Sequence, residues 1–156
     1  MTASPVNEDP DALGAVQVLL QQGEVAKALE ALNGLADTAQ SSAVGQYMRG
    51  VCLRLTRDFA NAESALRQLV DSNPSYGRGF QELGHLYRDA NMPIEALNAY
   101  ATACNLNPGL KASWAAQRDL IGKSSPERTA QINQRLQWLE SLPPVLFASW
   151  DLLHEG

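Results

Sequence analysis

The feature of this sequence that most restricts its fold is a recurrence at an interval of 34 residues. Pro74 and Pro108 are separated by 34 positions, as are Gly50 and Gly84. Ala28, Ala62, Ala96 and Ala130 continue the same spacing through four steps, and Leu19, Leu53, Tyr87 and Ile121 form a ladder of large apolar residues. Leu32, Leu66 and Tyr100 make a further ladder, which breaks at Gln134. One coincident pair costs little in any sequence, whereas several ladders on a single period require a repeated structural unit. A unit of this length cannot bury its apolar face alone, so the period implies an array held together by contacts between neighbours.

Within each period the pattern is helix, turn, helix. Phe80, Leu83, Gly84 and Tyr87 recur at three- and four-residue steps and therefore share one helix face. Asn91-Met92-Pro93 interrupts the run, and Pro93 suits the first turn of a new helix because its missing N–H would be unpaired there anyway. Ala96, Tyr100 and Ala103 mark the next face, which Asn107-Pro108 closes. Small residues at Gly84 and Ala96 allow two antiparallel helices to approach closely. Helices are expected over 10–22, 24–37, 42–56, 58–71, 75–90, 93–106, 109–122, 126–141 and 144–155.

Residues 77–108 resemble the tetratricopeptide repeat almost completely. The family's aromatic, Leu-Gly, Tyr, Ala, aromatic, Ala and Pro positions fall on Phe80, Leu83-Gly84, Tyr87, Ala96, Tyr100, Ala103 and Pro108. Residues 43–74 fit at Gly50, Leu53, Ala62, Leu66 and Pro74, but carry Gln46 for the aromatic and Arg49 for the Leu. Residues 9–42 keep Leu19, Gly23, Ala28 and Leu32 and lack the closing Pro. Residues 111–142 keep Trp114, Ile121 and Ala130, with Arg118 at a position normally small. This last pair is expected to open differently, or Arg118 to reach outward.

The resemblance implies an all-α solenoid, wound as a right-handed superhelix. Its four repeats would span 9–42, 43–76, 77–110 and 111–142, after a flexible stretch over 1–8. Residues 143–156 form a terminal helix with Leu146, Phe147, Trp150 and Leu153 at helical spacing. It is expected either to be the first helix of an incomplete fifth repeat or to cap the array. The run Ser141-Leu142-Pro143-Pro144 followed by Leu152-Leu153-His154-Glu155-Gly156 is also similar to the N-terminal arrays of bacterial tetratricopeptide-repeat sulfotransferases. That likeness implies a recruitment or regulatory domain of a larger enzyme whose catalytic part lies outside this chain.

Composition removes other classes. The 156 residues carry 17 acidic and 12 basic side chains, a net charge of -5. The excess sits in residues 1–40, and no basic block offers a surface to nucleic acid or anionic membrane. No apolar run approaches a membrane span, and the N-terminus lacks the pattern of a signal peptide. Cys52 and Cys104 are far apart with no CxxC, so neither a disulfide framework nor a zinc site is expected, and both read as small buried hydrophobes. A cytoplasmic protein follows. There is no GxSxG, phosphate loop or HExxH, and the histidines number only two, His85 and His154. The chain is therefore expected to be no enzyme and to need no metal or cofactor.

What remains is recognition. In the resembled family the concave groove is lined by first-helix residues not used for packing. Projected here, those giving the groove its character are Tyr47, Arg54, Arg78, Gln81, His85 and Arg88. Three arginines and a histidine favour carboxylates, so the expected partner is an acidic protein or peptide segment. Heat-shock chaperone tails are not expected. Of the positions matching the family's carboxylate clamp, Leu13, Gln17, Tyr47, Arg78 and Glu82, only Arg78 is basic, and Glu82 would repel the ligand. Trp114 reads as core, whereas Trp138 and Trp150 stand open between core and binding anchor. A homodimer through Phe147, Trp150 and Leu153 is the alternative use of the terminal helix.

Overall fold

The computed structural model describes residues 11–147, which fold as helices with no strand among them. The chain divides into two compact units, residues 1–72 and 73–156.

In the first unit, α1 (Ala12–Gln21) and α2 (Val25–Asn33) form a pair, as do α4 (Ala43–Leu55) and α5 (Phe59–Ser72). Val16, Ala28, Leu32, Met48 and Cys52 make the core where α4 packs on α1 and α2, with Leu19, Leu20 and Tyr47 against its edge. The two members of the second pair approach closely. A Cβ at Gly50 would overlap the side chain of Leu66, itself fully buried. The absent side chain of one ladder thus makes room for the next.

The expected helix over 24–37 is two elements instead. α2 stops at Asn33, Gly34 follows it, and a short helix α3 (Asp37–Ser41) precedes α4. Side chains take over where the helix ladder ends. Gln40 donates through Nε2 to the carbonyls of Asn33 at 3.1 Å and Leu35 at 2.8 Å. Arg49, the residue that departs from the repeat pattern, reaches back from α4 to Asn33 Oδ1 at 2.6 Å and Gln40 Oε1 at 2.8 Å. Ser42 caps α4 by accepting from the Gly45 N–H at 3.1 Å.

The second unit holds α6 (Gly77–Asp89), α7 (Pro93–Leu106), α8 (Lys111–Ile121), a 3₁₀ turn (Gly122–Ser124) and α9 (Pro126–Glu140). α6 buries Leu83, Leu86 and Tyr87, and α7 buries Ala96, Tyr100, Ala103 and Cys104. A Cβ on Gly84 would stand 2.7 Å from ring carbons of Tyr100, so the match of a glycine with a large side chain seen in the first unit recurs one period later, with an aromatic in place of Leu66. Asn107 ends α7. Its N–H bonds the Ala103 carbonyl at 2.8 Å, and its Oδ1 accepts from Gly109 at 3.0 Å. Ile121, Ile132 and Leu136 form a further cluster between α8 and α9, with Trp114 packed against it. Residues 144–147 are helical, and the rest of the expected terminal helix lies outside the described residues.

The turns inside three pairs repeat atom for atom. Gly23, Arg57 and Asn91 take positive φ of 77°, 65° and 61°. In each, the next N–H bonds back to a ladder residue: Glu24 to Leu19 at 2.9 Å, Asp58 to Leu53 at 2.8 Å, and Met92 to Tyr87 at 2.7 Å. This is the six-residue closure that satisfies the last carbonyls of a helix. The fourth pair does differ, as expected. α8 ends at Ile121, positive φ moves to Gly122 at 53°, and the 3₁₀ turn fills the gap before Pro126. Arg118 turns to the surface, pairing with Asp119 at 3.2 Å and reaching Asn133 Oδ1 at 3.4 Å.

Candidate functional site

Arg78, Gln81, His85 and Arg88 follow one another on α6 at steps of three and four residues and share a face. The packing of α6 on α7 fixes this face. Because Gly84 lets the Tyr100 ring lie against the helix, the phenol reaches His85, with its oxygen 2.5 Å from Nδ1. The two rings meet edge to face, 5.2 Å between centroids at 69°. Arg88 brings a guanidinium nitrogen to 3.5 Å from the same Nδ1 and stands 6.0 Å from the Tyr100 ring centre. A guanidinium can only donate, so a hydrogen bond at this contact uses the Nδ1 lone pair, and a neutral ring making it would carry its proton on Nε2.

Gln81 is tied to the next pair. Its Oε1 accepts from the hydroxyl of Ser113 on α8 at 2.8 Å, and Ser113 is fully buried. Its amide nitrogen remains able to donate. Arg78 is half-buried and Arg88 exposed. The face thus carries two guanidinium groups, an amide and an imidazole; Tyr100 braces His85 and Arg88, and Ser113 braces Gln81. Neither bracing residue was legible as part of a site: Tyr100 appeared only as a packing rung, and Ser113 carries no pattern at all.

Other expected residues fall elsewhere. Glu82 is buried. Tyr47 and Arg54 belong to α4 in the first unit, where Tyr47 packs partly into the core around Met48. Phe147 is half-buried under the ammonium of Lys111, 4.4 Å from its ring centre. Trp150 and Leu153 lie outside the described residues. Trp114 is partly buried, as expected of a core residue, and its indole N–H donates to the Pro108 carbonyl at 2.9 Å. Trp138 is exposed.

Both thiols are buried. Burial pushes Cys52 above its ordinary value and Cys104 up to about 12, and Gln117 Nε2 donates to the Cys104 sulfur at 3.2 Å. Neither thiol is poised as a nucleophile. Among the described residues, no three His, Cys, Asp or Glu side chains gather as metal ligands, and no helix is long and apolar enough to cross a membrane.

No protein-family model matches the chain, and no curated protein sequence matches it. Solved structures do match. A crystal structure of MamA superposes with a TM-score of 0.69 at 19% identity, covering 86% of this chain and 82% of that one. A MamA RS-1 double mutant gives 0.68 at 18% identity, over 86% and 76% of the two chains. MamA 41-end from Desulfovibrio magneticus RS-1 gives 0.65 at 15%, over 87% and 76%. The likeness extends to the repeat fold and not to the sulfotransferase arrangement. The chain has the all-α, tetratricopeptide-like helical-repeat fold.

Proposed function

We propose that the chain is a non-catalytic recognition scaffold that holds an acidic segment of a partner protein along α6. The observation carrying this reading is the braced face itself, with Arg88 positioned beside His85 and Tyr100, and Gln81 positioned by Ser113. Side chains already held in place lose less freedom on binding, so more of each contact appears as affinity. Arg78 and Arg88 are ten residues apart on the helix, or about 15 Å at its rise per residue. An extended peptide covers that span in about four to five residues. Carboxylates at its two ends would meet the guanidinium groups, while Gln81 and the His85 Nε2–H address backbone carbonyls between them. Within the first unit, Tyr47 and Arg54 on α4 are proposed as a contact surface of their own. The tetratricopeptide-like fold supports a protein-interaction role, since helical arrays of this kind bind on extended surfaces.

Partner capture tests the proposal. The full chain is used as bait beside an R78E/R88E variant that melts at the same temperature. Loss of the acidic partners from the variant is the expected outcome, and a variant that retained every partner would defeat the assignment to α6.

A further inference from the structure

A pair of cavities lies along α9, the smaller one walled also by α8, on residues the α6 face does not use. Two adjoining cavities of about 480 and 280 Å³ share Gln131 and Arg135 in their walls. Arg135 is the centre of the arrangement. Its guanidinium stands 5.5 Å from the ring centre of Trp114 and 5.7 Å from that of Trp138. Trp114 is itself anchored through its indole N–H to Pro108, so one side of this mount is fixed by the fold. Arg128 lines the smaller cavity two turns earlier on α9, and Gln134 and Trp138 line the larger.

The electrostatics are one-sided. The described residues lining both cavities include two arginines and no carboxylate. Arg118, close by in sequence, is paired with Asp119, but Arg128 and Arg135 form no ion pair among the described residues. A guanidinium held against aromatic faces keeps its N–H edge available, and that edge matches a carboxylate through two parallel hydrogen bonds. Trp138 is 47% exposed, an apolar platform beside the charge. Isolated exposed apolar residues are common, but a Trp adjoining an arginine already mounted on a second Trp is the composition of an interface anchor.

We infer that the α8–α9 cleft is a docking site for a partner segment in which Asp or Glu adjoins an aromatic or aliphatic residue. The carboxylate pairs with Arg135 and Arg128, and the apolar neighbour rests on Trp138. Amides of Gln131 and Gln134 are in place for the segment's backbone. This cleft discriminates by charge and apolar contact together, whereas the α6 face has no exposed aromatic platform.

Fluorescence anisotropy on the full chain tests the inference, with a labelled peptide alternating Glu with Phe and Leu as probe. A counterpart with Lys for Glu, and another with Ser for Phe and Leu, are the controls. The acidic–apolar peptide is expected to bind at least about tenfold more tightly than either control, and to weaken as salt rises from about 50 to about 500 mM. The R128E/R135E variant should lose binding by about tenfold or more, and R135K should lose part of it, because an ammonium keeps the charge without the planar fork. W138A, exposed and so harmless to the fold, should weaken the peptide and leave the melting temperature unchanged. R78E/R88E should keep the preference for the acidic–apolar peptide over its Ser counterpart, because the apolar contact belongs to Trp138 and not to the α6 face, which separates this site from the α6 proposal. The inference is overturned if R128E/R135E binds normally, if only R78E/R88E loses the peptide, or if all three peptides bind alike. It is equally overturned if D151N/E155Q binds the peptide about tenfold more tightly, which would assign the cleft to the chain's own last residues. A concentration-dependent dimer abolished by R128E/R135E would assign it to a second copy.

Discussion

At single residues, the repeated turn converts sequence into backbone geometry in a way that mutation can read. Gly23 sits at φ 77° with open space around the position a Cβ would take, so any cost of a side chain there is conformational rather than steric. Gly23→Ala is expected to lower stability by about 1 kcal/mol, because a left-handed conformation costs an L-residue that much. Asn91 occupies the same turn at φ 61° two repeats later, and Asn91→Gly is expected to raise stability by a few tenths of a kcal/mol, about what separates the two residues there. Urea denaturation of both variants measures the contrast in sign. Cys104 gives a second test. Its thiol stays protonated in the folded chain up to about 12, through burial, while the thiol of the unfolded chain ionises at its ordinary value. The unfolded state therefore binds fewer protons across that window. The stabilisation is complete below the ordinary thiol range and drains away as pH rises towards about 12, by up to about 1.4 kcal/mol per pH unit. Comparing the pH dependence of unfolding for the unaltered chain and Cys104→Ala isolates this slope, which the variant should lack.

Between helices, the decisive contacts pair an absent side chain with a large one. Gly50 meets Leu66 between α4 and α5, and Gly84 meets Tyr100 between α6 and α7. Gly50→Ala and Gly84→Ala are each expected to cost about 1–3 kcal/mol through overpacking, despite Ala's better helix propensity. Gly50→Ala combined with Leu66→Ala should cost less than the sum of the single changes, which a double-mutant cycle by thermal or urea unfolding would detect. These contacts were legible in advance because a 34-residue ladder places the small and the large residue at fixed offsets. The α2–α3 break was not. It depends on Gln40 and Arg49 meeting Asn33 across 7 and 16 residues of chain, and polar side chains joined over such distances leave no periodic trace. The early end of α8 was only half legible. Arg118 signalled a departure in that pair, but nothing in the local pattern moved the positive-φ residue to Gly122.

For the molecule as a whole, function was less legible than fold, for a physical reason. Repetition fixes which residues pack, and the residues left over are selected by a ligand that the sequence does not contain. Spacing grouped Arg78, Gln81, His85 and Arg88 on one helix face, and α6 is helical through all four. It could not show that Tyr100 and Ser113 hold that face in position, or that Glu82 is buried. Nor could it show Arg135 against both Trp114 and Trp138, since Trp114 lies on another helix, 21 residues earlier in the chain. Negative charge is therefore proposed to be received on the α6 face. The most direct measurement is an NMR titration of the ¹⁵N-labelled full chain with a Glu-rich peptide lacking aromatic and aliphatic residues. The side-chain Nε–H signals of Arg78 and Arg88 and the ring signals of His85 should shift together and saturate at one common affinity. Saturable binding that left those three residues unmoved, or no saturable shift at any of them, would contradict the account.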